Sequence, residues 1–412
     1  MVGNSARKEL GTAVLLALCF GTVMLDRMSQ LFLGPYLVHG MGLRADQIGI
    51  LAGVVSVCWA LSTFAFGLIS DRVGRKRVLI PSLILFSLMS WLSGLAQDYH
   101  QLLLIRGLLG LAEGPSWSVI MALMDESSSE QRRGRNIGIV VCAGSLVGSA
   151  IGPVFATQVA EAFGWRTAFF AAGIPGLILA GLVAAYVPEP PRLAEVHAMS
   201  LRTFGSLIRM PQMWLCFAGA LLLTTWVFGF TAFGPLYITE VQHLPATTAG
   251  FIMSASGIGG FLYCLIWPAL SDWTGRRPAI ILAAAIAIGL PTCFLLPALA
   301  AEPGLLSVIA FLTTSGTAVA ALVLVVVPME LAPRAWAASA VGFVSIGGEG
   351  LGATLGPIAG GLLTNRFGLA APLVMAASAA FLITIIGILL RETHPRRRTG
   401  AATLSPGSPP SG

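Results

Sequence analysis

The chain has 412 residues, 56% of them hydrophobic and 10% charged, and a net charge of +6. Soluble domains carry about 25% charged residues, so this composition excludes a water-clothed globule and calls for an exterior that meets lipid. The positive balance does not indicate nucleic acid, because the basic residues fall in short loops between apolar runs.

About 20 apolar residues cross a bilayer core. In chain order, the apolar runs predict spanning helices at 11–39, 46–69, 78–96, 101–124, 136–160, 166–187, 212–238, 248–270, 278–299, 304–327, 337–363 and 369–390. Arg7 and Lys8 before the first run resemble the start of a signal peptide. Asp26 and Arg27 interrupt that run, however, and no small-residue cleavage site follows, so it reads as a helix that stays attached. The longest polar stretch between helices follows the sixth run. It divides the chain into a first bundle (1–187), a linker (188–211), a second bundle (212–390) and a basic, then Gly/Ser/Pro-rich tail (391–412) expected to be disordered. The six cysteines (Cys19, Cys58, Cys142, Cys216, Cys264 and Cys293) sit singly in apolar runs, as small buried hydrophobes do, and form no disulfide or zinc framework.

The Lys/Arg bias gives orientation. With the N-terminus in the cytoplasm, nineteen of the 24 basic residues lie inside, only Arg44, Arg166 and Arg366 lie outside, and Arg27 and Arg106 fall within the membrane. Both termini are therefore expected in the cytoplasm. Lys8 and Lys76 are the only lysines, a usage that fits a GC-rich bacterial genome and hence an inner (plasma) membrane.

The halves repeat. Gly67, Asp71, Arg72, Gly74, Arg75, Lys76 and Arg77 link the second and third runs, and Ser271, Asp272, Gly275, Arg276 and Arg277 link the eighth and ninth. Gly148, Gly152 and Pro153 in the fifth run return as Gly352, Gly356 and Pro357 in the eleventh. Parallel six-helix repeats are one architecture of secondary transporters.

The stretch from Gly67 to Arg77 resembles the G-x-x-x-D-R-x-G-R-R loop of the major facilitator superfamily, with Lys76 for one Arg. The second copy is degraded, with Pro268 and Trp273 at the expected Gly and Arg positions. Arg132, Arg133 and Arg135 after the fourth run, Gly164, Trp165 and Arg166 before the sixth, and Pro188 to Arg192 after it are similar to further features of that family. The resemblance implies an all-α integral membrane protein of twelve transmembrane helices in two parallel six-helix repeats. Asp26 and Arg27, with Arg106 and Glu113, most resemble the anion:cation symporters within it, and spinster-like lipid transporters are the second choice. The symporter pattern N-Y-x-D-R has Val23 and Met24 here in place of N and Y, positions whose polar groups would have contacted substrate.

An ionisable side chain in mid-membrane is costly and marks function. Arg106 and Glu113 are seven residues apart, hence on one helix face, with Gly110 between them and Trp117 continuing it. Counting from the helix ends puts Asp26 and Glu113 at similar depth and Arg106 nearer the outer mouth. By the resemblance, helices one, four, seven and ten line a central cavity, which gathers Asp26, Arg27, Arg106 and Glu113 around it. Arg27 and Arg106 offer forks for a carboxylate or phosphate, and Asp26 or Glu113 can carry the coupling proton. The alternative is a static ion-pair network. Gln30, Trp226, Tyr237 and Tyr263 are candidate substrate contacts, or else packing residues. Glu349 is a substrate contact or second proton site, or else a helix-to-helix hydrogen-bonding residue. The loop from Gly67 through Asp71, Arg72, Gly74, Arg75 and Lys76 is expected to gate, or else only to fix topology.

These residues predict a monomeric, proton-coupled carrier of a small organic anion such as a sugar acid, with a proton-driven exporter of drugs or amphiphilic lipids as the alternative. No nucleotide loop, metal cluster or nucleophile constellation is legible, so neither a cofactor nor catalysis is expected.

Overall fold

The computed structural model describes residues 2–189, 201–296, 302–314, 316, 319–333 and 336–393. Linker residues 190–200, Arg334 and the tail beyond 393 lie outside the described residues. Among those described, ten helices are long and apolar enough to cross a membrane. They are α1 (Val2–Phe32), α2 (Ala45–Val73), α3 (Arg75–Leu95), α4 (Tyr99–Ser127), α5 (Arg133–Phe163), α6 (Trp165–Tyr186), α7 (Pro211–Glu240), α8 (Ala246–Thr274), α9 (Arg276–Phe294) and α12 (Ala370–Leu389). Two further crossings are pieced together. One, α10, is described as Pro303–Thr313 and Ala321–Leu331. The other, α11, runs as Ala337–Ser345, Ile346–Gly352 and Ala353–Phe367. The result is the all-α, twelve-helix architecture that the apolar runs predict, in two six-helix repeats.

Local chemistry sets the joints. After Leu33 the first crossing restarts as a short helix, Gly34–Met41, because Pro35 has no N–H to continue the ladder. Gly74 (φ 117°) and Gly275 (φ 100°) reverse the chain in one residue between α2 and α3 and between α8 and α9, conformations that side chains resist. Three crossings widen into π-helix, at Gly144–Ile151 of α5, Ala321–Val326 of α10 and Ile346–Gly352 of α11. A proline follows each (Pro153, Pro328 and Pro357) and interrupts the i to i−4 pattern.

The repeats pack alike. In the first half α2 lies on α4 and α3 on α6; in the second α8 lies on α10 and α9 on α12. The halves meet through two equivalent crossings, α2 with α11 and α5 with α8, and through α1 with α7. Glycine makes those crossings close. A Cβ on Gly49 would stand 2.3 Å from the Pro357 carbonyl oxygen, and one on Gly257 would stand 1.9 Å from the Ser149 carbonyl oxygen. Beside the second crossing, Ser254 donates to the Ala150 carbonyl at 2.5 Å.

The cores report the conformation. One apolar cluster joins both halves at the end away from the termini, from Leu31, Phe32 and Leu51 to Trp226, Phe233 and Ile252. At the end bearing the termini each half keeps its own cluster, around Leu83 and Leu123 in the first and around Leu322 and Ile383 in the second. His39 and Glu240, 2.9 Å apart, bridge the halves just beyond the shared cluster. The bundle is therefore shut at that end and divided at the other. Leu61, Phe64, Leu104, Ile178, Phe251 and Phe381 are exposed around its flanks, as a lipid-facing surface requires.

Closure by glycine contact predicts that Gly257→Val holds the shut end apart. A cysteine at Thr239, with native thiols removed, should then react several-fold faster with a bulky, membrane-impermeant maleimide than it does with Gly257 intact. An equal rate would show that the α5–α8 crossing does not control closure.

Candidate functional site

Asp26 and Arg27 are neighbours on α1, so their side chains leave the helix about 100° apart. They serve different partners. Asp26 is fully buried and points into the first half. Arg106 Nη1 of α4 donates to its Oδ2 at 3.2 Å, and the Ser90 hydroxyl of α3 lies between its Oδ1 and the Phe169 carbonyl. The Arg106 guanidinium rests 4.3 Å from the centre of the Phe169 ring of α6. This cluster ties α1, α3, α4 and α6 together. Removing one partner of such a buried pair costs about 3–5 kcal/mol. Arg106 is fully buried inside the first half.

Glu113 is also fully buried, and neither of its oxygens has a donor. Its charged neighbours are Asp26, Arg27 and Arg106. Two carboxylates only accept, so a hydrogen bond between them needs a shared proton.

Arg27 points the other way, toward the second half. Its guanidinium lies 4.4 Å from the Trp59 ring centre and 5.2 Å from that of Phe228. Nη2 donates to Ser56 at 3.4 Å and stands 3.9 Å from Oε2 of Glu349. Glu349 belongs to the π segment of α11, where Gly347 and Gly352 let the helix touch α7 and Thr224 donates to the Gly348 carbonyl at 2.8 Å. The Glu349 side chain is 34% exposed against 4% for Arg27, so water-sized space adjoins Glu349 but not Arg27. Glu349 is thus an ion-pair partner across the two halves.

Unpaired polar atoms gather here. Arg27 Nε, Gln30 Oε1, Trp59 Nε1, Arg106 Nε and Nη2, both Glu113 oxygens, Trp226 Nε1 and Thr354 Oγ1 are buried without a partner. Buried polar groups are normally satisfied, so these atoms are the candidates for contact with a ligand or water; Gln242 Oε1 and Trp267 Nε1, elsewhere in the second half, are also without a partner. Gln30 lies one turn beyond Arg27 on the same face. Trp226 stacks on Phe230 in the shared cluster.

The other aromatics picked from the sequence lie elsewhere. Trp117 packs on Phe20 at 5.1 Å, Tyr263 on Phe311 at 5.6 Å, and Tyr237 is buried in the shut end. Trp59, Phe228 and Phe169 take the positions next to the arginines; no charge or spacing distinguished them in the sequence. Val23 is buried in the first-half core and Met24 packs on Gly144 and Gly148 of α5. The departure from the symporter pattern therefore falls on helix packing, not on the cavity.

At the divided end, Asp71 pairs with Arg75, which also donates to Glu126 at 2.9 Å and to Ser70. The second copy repeats this: Arg276 joins Asp272, Glu330 at 3.0 Å and Ser271. Its sequence is degraded, yet its ion network is whole, because the lost Gly and Arg are not among the bonding residues. Glu189 accepts from the Lys76 backbone N–H at 3.1 Å, and Glu392 accepts from that of Arg276 at 2.9 Å, each at a helix N-terminus where an acid is favoured. Gly67 faces Ser118 of α4, and Arg72 is exposed. Sequence reading missed Glu126, Glu330 and Glu392, and noted Glu189 only as part of the Pro188–Arg192 feature. The repeat offset that relates Gly148 to Gly352 would have paired Glu126 with Glu330.

Comparison with known proteins agrees with this architecture. Residues 16–349 match the sequence model of the Major Facilitator Superfamily. The chain is 29% identical to a probable 4-methylmuconolactone transporter of Cupriavidus pinatubonensis, covering 87% of this chain and 85% of that one. It is 27% identical to the hexuronate transporter of Bacillus subtilis over 62% of each chain. It is 28% identical to the 3-(3-hydroxy-phenyl)propionate transporter of Escherichia coli, over 57% of this chain and 62% of that one. In fold it is similar to a bacterial homologue of the human lysosomal transporter Spinster (TM-score 0.76, 17% identity, 93% of this chain and 98% of that one). A similar likeness holds to the nucleoside transporter NupG (TM-score 0.74, 16% identity, 92% and 98%). With the helices, the repeats and the matched residues in agreement, this chain belongs to the Major Facilitator Superfamily and is a membrane transporter, not an enzyme.

Proposed function

We propose that the protein is a proton-coupled symporter of a small organic carboxylate, working by alternating access as a monomer in a bacterial inner membrane with both termini in the cytoplasm. The observation that carries this is Arg27: a guanidinium walled by Trp59 and Phe228, with Nε unpaired, faced across the halves by a carboxylate. Such a fork matches a carboxylate edge to edge. With the aromatic walls it favours an acid with a planar, apolar body over a polyhydroxy acid; the relatives are named for both kinds, a lactone and a phenylpropionate and a hexuronate and a galactonate. The proton rides on the Asp26–Glu113 pair. When the pair is neutralised, Arg106 loses its counter-charge and becomes available to the anion. The shared cluster is the closed outer gate, so the state described is inward-facing. The bundles 1–187 and 212–390 rock about the α2–α11 and α5–α8 crossings, and the Asp71–Arg75 and Asp272–Arg276 networks brace the inner ends.

The test is uptake into proteoliposomes under an imposed pH gradient. The labelled panel comprises 3-(3-hydroxyphenyl)propionate, 4-methylmuconolactone, a hexuronate and galactonate. Gradient-driven accumulation of at least one acid is expected, strongest for the first two. Expulsion of amphiphilic cations with no acid uptake would establish the exporter reading instead.

Arg27→Lys replaces a fork by a point charge, and binding of the transported acid should weaken on the order of tenfold. Unchanged affinity would take Arg27 out of the site.

Glu113→Gln fixes the neutral form. It should retain counterflow and lose gradient-driven accumulation, whereas a purely structural Glu113 loses both together. Asp71→Asn should slow turnover while leaving affinity within about twofold, since it touches only the brace; a wild-type rate would rule out the gating role.

A further inference from the structure

The Arg27–Glu349 pair crosses the two halves at the point where the carboxylate is proposed to bind. Glu349 is the only acid within the second-half crossings between Gln212 and Thr239, Thr247 and Ser271, and Ala337 and Asn365. Its segment packs on α7 and α2, and neither brings another charge to this depth: Pro211–Thr239 and Gln47–Ser70 hold no Asp, Glu, Lys, Arg or His. Among the described residues Arg27 is thus the one cation paired with Glu349, and it comes from the opposite half.

The contact is loose for an ion pair. At 3.9 Å it lies beyond hydrogen-bond length, Arg27 Nε stays unpaired, and Glu349 is one-third exposed where Arg27 is buried. A pair built for stability would close to about 2.7–2.9 Å and be bidentate. The glycines at 347, 348, 350 and 352 and the π turn give the segment backbone freedom. The space beside the one-third-exposed Glu349 gives its carboxylate somewhere to go.

We propose that Glu349 is a tethered stand-in for the substrate: its carboxylate neutralises Arg27 in the empty carrier, and the incoming anion displaces it. This rests on the carboxylate reading above. The device keeps the buried guanidinium compensated between cycles. It also sets a threshold for binding, because the anion must compete with a carboxylate already present and approach its negative charge. The displaced acid is hydrated or protonated in the open crevice, and the link between the halves through α1 and α11 is broken as the ligand enters.

The sign of one measurement decides the matter. Binding of 3-(3-hydroxyphenyl)propionate, 4-methylmuconolactone and a hexuronate to purified carrier is measured by calorimetry for wild type, Glu349→Gln and Glu349→Ser. With the competitor neutralised, the acid that wild type binds should bind about tenfold tighter in both variants. Weaker or equal binding in a folded variant overturns the proposal, because a ligand-contacting or purely structural Glu349 gives that result. Failure of both neutral variants to fold also overturns it, since the pair is then structural. If no acid binds wild type and none is transported, the carboxylate reading itself fails. If acids bind but Glu349→Gln gains nothing, only the stand-in fails.

Discussion

Everything in this structure answers to the cost of holding charge inside lipid. Three carboxylates and two guanidiniums sit at mid-bundle, and each costs about 2.5–3.5 kcal/mol at a helix centre on insertion scales. The fold meets that cost by grouping them. Asp26 and Arg106 compensate each other inside the first half, Arg27 is covered by rings, and Glu349 offers the remaining counter-charge from the second half. Apolar packing would hold these helices together at lower cost, so the retention of charge points to work that apolar residues cannot do.

The same constraint explains why the two ends differ. Where the halves share a core, glycines bring backbones to contact, and the buried acid there, Asp46 against Gly361, is paired with Arg44 of its own half. Where they are separate, each half carries its own closed ion network, Asp71 with Arg75 and Glu126, and Asp272 with Arg276 and Glu330. Ion pairs within a half survive its movement as a rigid body; pairs between halves do not. Arg27–Glu349 and His39–Glu240 are between halves, which makes them the contacts that a change of access has to break.

How much of this was legible in the sequence depended on the length of the signal. Crossings of 20 residues are unmistakable against 10% charge, and the repeat at Asp71 and Asp272 is written in adjacent residues. Asp26, Arg27, Arg106 and Glu113 stood out because charge in an apolar run is rare. The aromatic walls did not, because tryptophan and phenylalanine are ordinary in membrane helices and only tertiary packing separates Trp59 and Phe228 from Trp117 and Tyr263. The π turns of α5, α10 and α11 were also hidden, since a π turn follows from proline position and glycine freedom rather than from hydropathy. Glu349 was visible as a charge but not as a partner, because the residue it meets lies more than 300 positions away.

The adjacency of Asp26 and Arg27 then takes on a physical meaning. A single turn of α1 sends an acid into one half and a base toward the other. Any rotation or shift of that turn changes both environments together. In the proposed cycle, neutralising the Asp26–Glu113 pair loosens Arg106 and frees this turn to move, and the anion that replaces Glu349 on Arg27 removes a tie between the halves. Proton and anion thus act on neighbouring residues of one helix, about 100° apart around it, without touching the same atom. Two separate ligands can be coupled through so short a path only if the turn between them moves as a unit. The Ser29 hydroxyl, which donates to the Leu25 carbonyl at 2.6 Å, and the break at Leu33 bound it as a unit.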